Sequence, residues 1–129
     1  MKNEINLMSP LTWAYIGDAV YELHIRGYLI ETTKAKPNKL HKEAIKYVKA
    51  QAQAKILNKI HENLTEEEKD IVRRTRNTQN YHLPKNADLQ DYMYATAFEG
   101  LIGYLYLDKQ EDRLQEILQK CTEKNNNEK

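Results

Sequence analysis

Four glycines and three prolines are the only strong backbone breakers in this chain of 129 residues. A turn-rich β-protein of that length needs many more. The prolines stand at 10, 37 and 84, and the long stretches between them favour helices. Ser9-Pro10 reads as a helix start, with serine as N-cap and proline at the first helical position. Leu11, Tyr15, Ala19 or Val20, Leu23 and Ile30 then keep helical spacing to about Ile30. Thr32 to Asn38 is polar, contains Pro37 and reads as a loop. From Lys39 to His61, Leu40, Ala44, Val48, Ala52, Ile56 and Ile60 recur every four residues, which predicts one amphipathic helix with lysines on its other face.

Thr65 and Glu68 form a capping box for a helix that carries Ile71 and Val72 and fades near Arg76. Asn77 to Asn86 reads as a loop around Pro84, and Asn86 can cap a long helix running to about Leu107. Asp108 with Glu111 signals a last helix bearing Leu114, Ile117, Leu118 and Cys121. The expected fold is therefore an all-α bundle. One domain over residues 1–121 is followed by a disordered polar tail over 122–129.

A chain of this length can bury a core without staples. The single cysteine, Cys121, excludes an internal disulfide framework and any multi-cysteine zinc site, which suits a cytoplasmic protein. No signal peptide is visible, and no membrane association is expected. The most apolar stretch, Tyr92–Leu107, has Glu99 in its middle and is shorter than the ~20 residues a span needs. The net charge of +1 hides two cationic zones. Residues 34–62 carry eight lysines against two acids, and Arg73, Arg74, Arg76 and Lys85 succeed one another with no acid between them. Such zones on a near-neutral protein point to a polyanionic partner.

Two carboxylates break the amphipathic pattern. Asp18 lies among apolar and small residues, and Glu99 is the only charge in its segment. An isolated ionised carboxylate in such surroundings needs a cation, a metal or a raised pKa. Gly17 precedes Asp18 and Gly100 follows Glu99. Two such glycines would let two helices cross closely and bring the acids together. A carboxylate pair of this kind suits Mg²⁺, which needs one or two carboxylates and keeps several waters. Beside a basic surface it suggests metal-assisted phosphodiester hydrolysis.

The run Ala14-Tyr15-Ile16-Gly17-Asp18-Ala19-Val20-Tyr21-Glu22-Leu23 resembles the signature helix of the ribonuclease III catalytic domain. Thr96 to Leu107 (TAFEGLIGYLYL) resembles that family's second acidic helix. The spacing of the two motifs and the short chain are similar to the Mini-ribonuclease III branch, which lacks a double-stranded-RNA-binding domain. The resemblance implies a homodimer that cleaves double-stranded RNA with Mg²⁺ (Mn²⁺ able to stand in) and leaves 5′-phosphates. It further implies maturation of the 23S ribosomal RNA precursor, with a ribosomal protein as a candidate helper. It makes Asp18 and Glu99 the catalytic metal ligands. Ala14 and Thr96 stand where full-length enzymes carry acids, absences that the Mini-ribonuclease III branch shares.

Glu22, one turn after Asp18, and Thr96 are candidates for outer support of the metal site. Glu43 reads as a partner for a nearby lysine of its own helix. None of the four histidines pairs at metal-ligand spacing. The candidate RNA contacts are Arg73, Arg74, Arg76, His82, Lys85 and Asn86, since A-form RNA is gripped mainly through phosphates and 2′-hydroxyls. A catalytically silent RNA-binding or ribosome-associated protein of the same fold is the other reading, and the presence of both Asp18 and Glu99 favours the enzyme.

Overall fold

A computed structural model describes residues 2–78 and 88–123, with side chains from residue 4 onward. Every regular element among the described residues is helical. They are α1 (Lys2–Leu7), α2 (Pro10–Thr33), α3 (Pro37–Val48), α4 (Ala50–Ile60), α5 (Glu66–Asn77), α6 (Leu89–Leu107) and α7 (Glu111–Thr122), with a 3₁₀ turn over His61–Asn63. None of them is long and apolar enough to cross a membrane.

The bundle is built around α6. Phe98, Leu101, Ile102 and Leu105 are buried, together with Tyr21, Ile25 and Leu29 of α2, Leu57 and Ile60 of α4, Val72 of α5, and Leu114, Ile117 and Leu118 of α7. A helix enclosed on most sides along its middle has little solvated face there, which explains why its sequence is apolar nearly all round. A smaller cluster joins Ile5, Trp13, Ile71 and Tyr104. There the Trp13 indole N–H donates to the Ile5 carbonyl at 2.9 Å, and the Tyr104 hydroxyl meets Asn6 Oδ1 at 3.0 Å. These bonds dock α1, an element that the sequence does not announce.

Local chemistry sets the ends. Ser9 caps α2, and Pro10 opens it. The helix runs three residues past its expected end, to Lys34 with φ 54°. The capping box is present: Thr65 Oγ1 accepts from the Glu68 amide, and Glu68 Oε1 accepts from the Thr65 amide. Two expected caps are corrected. The cap of α6 is Asp88, whose side chain accepts from the Asp91 amide, while Asn86 lies outside the described residues. Asp108 closes α6 rather than opening α7, because the chain turns through Lys109 at φ 57° and α7 starts after Gln110.

The single helix expected over Lys39–His61 is also corrected. It divides at Lys49, whose ψ of 153° is extended backbone. The break shifts the phase of the second half: on α4 the buried positions are Gln53, Leu57 and Ile60, while Ala52 and Ile56 are only half-buried.

Arg113 ties α7 to α5. Its guanidinium grips Glu68 through two 2.8 Å bonds and donates a third, at 3.0 Å, to the Asn63 carbonyl. Burial pushes the Glu68 carboxyl up, but the Arg113 and Thr65 hydrogen bonds outweigh it, so its pKa lies below the ordinary carboxylate value. A depressed folded pKa stabilises above the unfolded pKa, and that contribution is lost as pH falls through the folded one. Arg113→Leu should therefore cost about 3 kcal/mol at neutral pH, because Glu68 stays buried without its cation. Urea unfolding at neutral and at mildly acidic pH checks this. The gap from the parent should narrow on acidification, since a protonated Glu68 no longer needs the guanidinium.

Candidate active site

The two acids are brought together by main chain. A Cβ added to Gly17 would land on the carbonyl of Glu99, and one added to Gly103 would land on the carbonyl of Trp13. Helices α2 and α6 thus touch backbone to backbone. The sequence pattern pairs Gly17 with Gly100. The structure gives Gly103 instead, and Gly100 makes room for the buried side chain of Thr75 on α5.

Asp18 comes directly after Gly17 and is exposed, contrary to the buried setting its neighbours suggest. Glu99 is half-buried. Burial pushes its pKa up, the negative charge of Asp18 adds to the effect, and a hydrogen bond shared with Asp18 acts in the same direction. The amide of Gln53 opposes these, and the balance stands at about 8. At neutral pH and without a cation, Glu99 therefore holds a proton beside Asp18. A hard divalent cation held by the pair would reverse the preference, because it would favour both carboxylates in their ionised form. Among the described residues, no group of three or more histidine, cysteine, aspartate or glutamate side chains is placed to hold a metal. The residues that could hold a cation here are this pair of carboxylates.

Around the pair, Glu22 is half-buried and bonded to Arg26 at 3.4 Å. The Thr96 hydroxyl donates to the Tyr92 carbonyl at 2.9 Å, one turn before Glu99. Glu43 pairs with Lys46 at 2.9 Å. Arg73 is exposed and bonded to Asp70, and Arg76 reaches Asn77 Oδ1 at 3.3 Å. Arg74 differs from its two neighbours. It donates to the Asn6 carbonyl at 3.1 Å and lies 5.0 Å from the centre of the Trp13 ring, so its charge holds α1 in place. His82, Lys85 and Asn86 lie outside the described residues. Arg73 and Arg76 border an open cleft of about 870 Å³ between α4, α5 and the start of α6, which Lys55, Asn58, His61 and Lys69 also line.

Gln53 escapes the sequence pattern. It is 2 % exposed, and its amide reaches both Glu99 and the Val48 carbonyl, the latter at 2.7 Å. Its signal is a polar residue on the 53, 57, 60 face, which an uninterrupted four-residue register hides.

An all-helical domain that sets an Asp–Glu pair on a glycine crossing matches the family pattern described as the Ribonuclease III domain, over residues 11–110, and the chain belongs to the ribonuclease III family of endoribonucleases. Within the family it falls in the Mini-ribonuclease 3 branch. It is 50 % identical over 118 residues to the Mini-ribonuclease 3 of Thermoanaerobacter sp. (strain X514), covering 92 % of this chain and 83 % of the relative. It is 46 % identical over 120 residues to that of Staphylococcus aureus, covering 92 % and 90 %. With the Streptococcus pneumoniae protein of the same name it shares 42 % over 123 residues, covering 94 % and 96 %. A crystal structure of a Fusobacterium nucleatum protein superposes with a TM-score of 0.79 at 35 % identity, covering 89 % of this chain and 92 % of that one.

Proposed function

We propose that the chain hydrolyses phosphodiester bonds of double-stranded RNA at Asp18 and Glu99 with Mg²⁺, as a homodimer, and matures the 23S ribosomal RNA precursor in the cytoplasm. The observation that carries this reading is the Asp18–Glu99 pair: two carboxyl groups held together by a close helix crossing, with Glu99 raised to about 8. Ionising both members of such a pair is costly without a cation, and the pair suits one with hard oxygen preference, Mg²⁺ or Mn²⁺. The buried Gln53 Oε1, which has no hydrogen-bond partner among the described residues, adds an oxygen close by. When bound, the ion supplies an activated water and offsets charge growing on the scissile phosphate.

The protein residues do the rest. Asp18, at the surface, faces incoming RNA, while Glu99 anchors the site from the bundle side. Arg73, Arg76 and the exposed lysines of α3 (Lys39, Lys42, Lys46) are suited to phosphates along the duplex, with His82, Lys85 and Asn86 as further contacts. The homodimer is supported by α2 itself. Tyr15, Leu23 and Ile30, 83 %, 74 % and 63 % exposed, form an apolar stripe on the helix that carries Asp18. A second copy covering that stripe would supply a second centre for the opposite strand. The 23S assignment and a ribosomal helper rest on the family resemblance.

The test is a labelled RNA duplex with Mg²⁺, then with excess EDTA, alongside sedimentation of the same protein. Cutting into 5′-phosphate products by a dimer, abolished by EDTA, is expected. Binding without cutting under every metal condition would instead support the silent RNA-binding reading.

A further inference from the structure

Gln53 occupies a position where a hydrocarbon would be simpler. It is buried, it is the polar residue of an otherwise apolar face, and among the described residues its Oε1 is the buried side-chain atom left without a partner. Buried acceptors are rarely left unmet, so an orphan of this kind calls for an occupant. Its side chain is not free to turn away. The break at Lys49 releases the Val48 carbonyl from the helix ladder, and the Gln53 Nε2 takes it at 2.7 Å. One end of the carboxamide is thereby fixed, and the side chain lies against Glu99. Three elements converge here: α2 through Asp18, α6 through Glu99 and α4 through Gln53.

We propose that Gln53 is a positioning residue of the cation site. One amide N–H on the Val48 carbonyl locks the side chain, the amide steadies the ionised Glu99 carboxylate, and Oε1 accepts a hydrogen bond from the hydration shell of the divalent ion held by Asp18 and Glu99. Outer partners of this sort commonly change metal affinity by about ten- to a hundredfold. The proposal rests on the reading of Asp18 and Glu99 as ligands, and the experiment separates the two.

The intact, ¹⁵N-labelled protein is titrated with Mg²⁺ while the Gln53 side-chain amide and the backbone amides of Asp18 and Glu99 are followed by NMR. All three should move with one half-saturation point. Movement at Asp18 and Glu99 with a stationary Gln53 side chain overturns the proposal and leaves the ligand reading standing. No movement at any of them removes both. In parallel, Gln53→Met is assayed for Mn²⁺ affinity by electron paramagnetic resonance and for cleavage kinetics. Affinity should weaken about tenfold or more, and kcat should fall while KM for the duplex stays near the parent's. A folded Gln53→Met with parental Mn²⁺ affinity also overturns the proposal. If that variant does not fold, the titration of the parent protein still decides.

Discussion

Replacing Gly103 by alanine is expected to abolish folding. The added methyl would occupy the space of the Trp13 carbonyl, and neither α2 nor α6 can yield without dismantling the core between them. A main-chain clash of this kind costs more than about 4 kcal/mol, a large share of the stability of a domain this size. Gly17→Ala should behave alike, because its methyl meets the Glu99 carbonyl. Gly27→Ala is the internal control. It also lies in α2, but no atom stands within 4 Å of its added Cβ, so it should stabilise by about 0.5–1 kcal/mol through helix propensity. Circular dichroism and urea unfolding of the three variants check the set. A folded Gly103→Ala protein of parental stability would show that the helices are not in main-chain contact.

The second large effect is on catalysis. Asp18→Asn and Glu99→Gln should each lower single-turnover cleavage by at least roughly a thousandfold, equivalent to about 4 kcal/mol of lost transition-state stabilisation. Duplex binding should change little. Stability separates this from simple damage. Glu99 has a raised folded pKa, so the parent without a divalent cation should lose stability as pH climbs from the ordinary carboxylate range through about 8. Glu99→Gln has no such proton to lose, and that decline should be absent from its profile. Asp18→Asn should lessen the decline in part, by removing the neighbouring charge that helps to raise Glu99. Parental cleavage by either variant would remove that residue from the catalytic assignment.

The helices are legible where a single local signal decides. Ser9-Pro10 and the Thr65–Glu68 box name their positions because each cap is satisfied within three residues. The half-buried setting of Glu99 is legible for a different reason: an ionised group in an apolar pattern must be compensated somewhere, whereas Asp18, in a similar pattern, emerges into water. Residues whose roles depend on distant neighbours are less readable. Gly100 and Gly103 both lie on α6, and only the crossing geometry says which faces α2 and which faces α5. Arg74 is one of three neighbouring arginines, yet it alone meets Trp13 and Asn6, through a docked α1 that carries no cap signal of its own. Gln53 is hidden by the break at Lys49, which changes which side of α4 faces inward.

The contact between α2 and α6 has no rotamers. Side-chain interfaces can slide or repack between alternative arrangements, but two abutting main chains have one seating only. The separation of the backbones that carry Asp18 and Glu99 is therefore fixed by peptide geometry and cannot act as a fulcrum. Adjustment to a bulky substrate must come from parts hung on the frame, and the joint at Lys49, where two helices meet through one extended residue, lies outside the main-chain contact that sets the spacing of its acids.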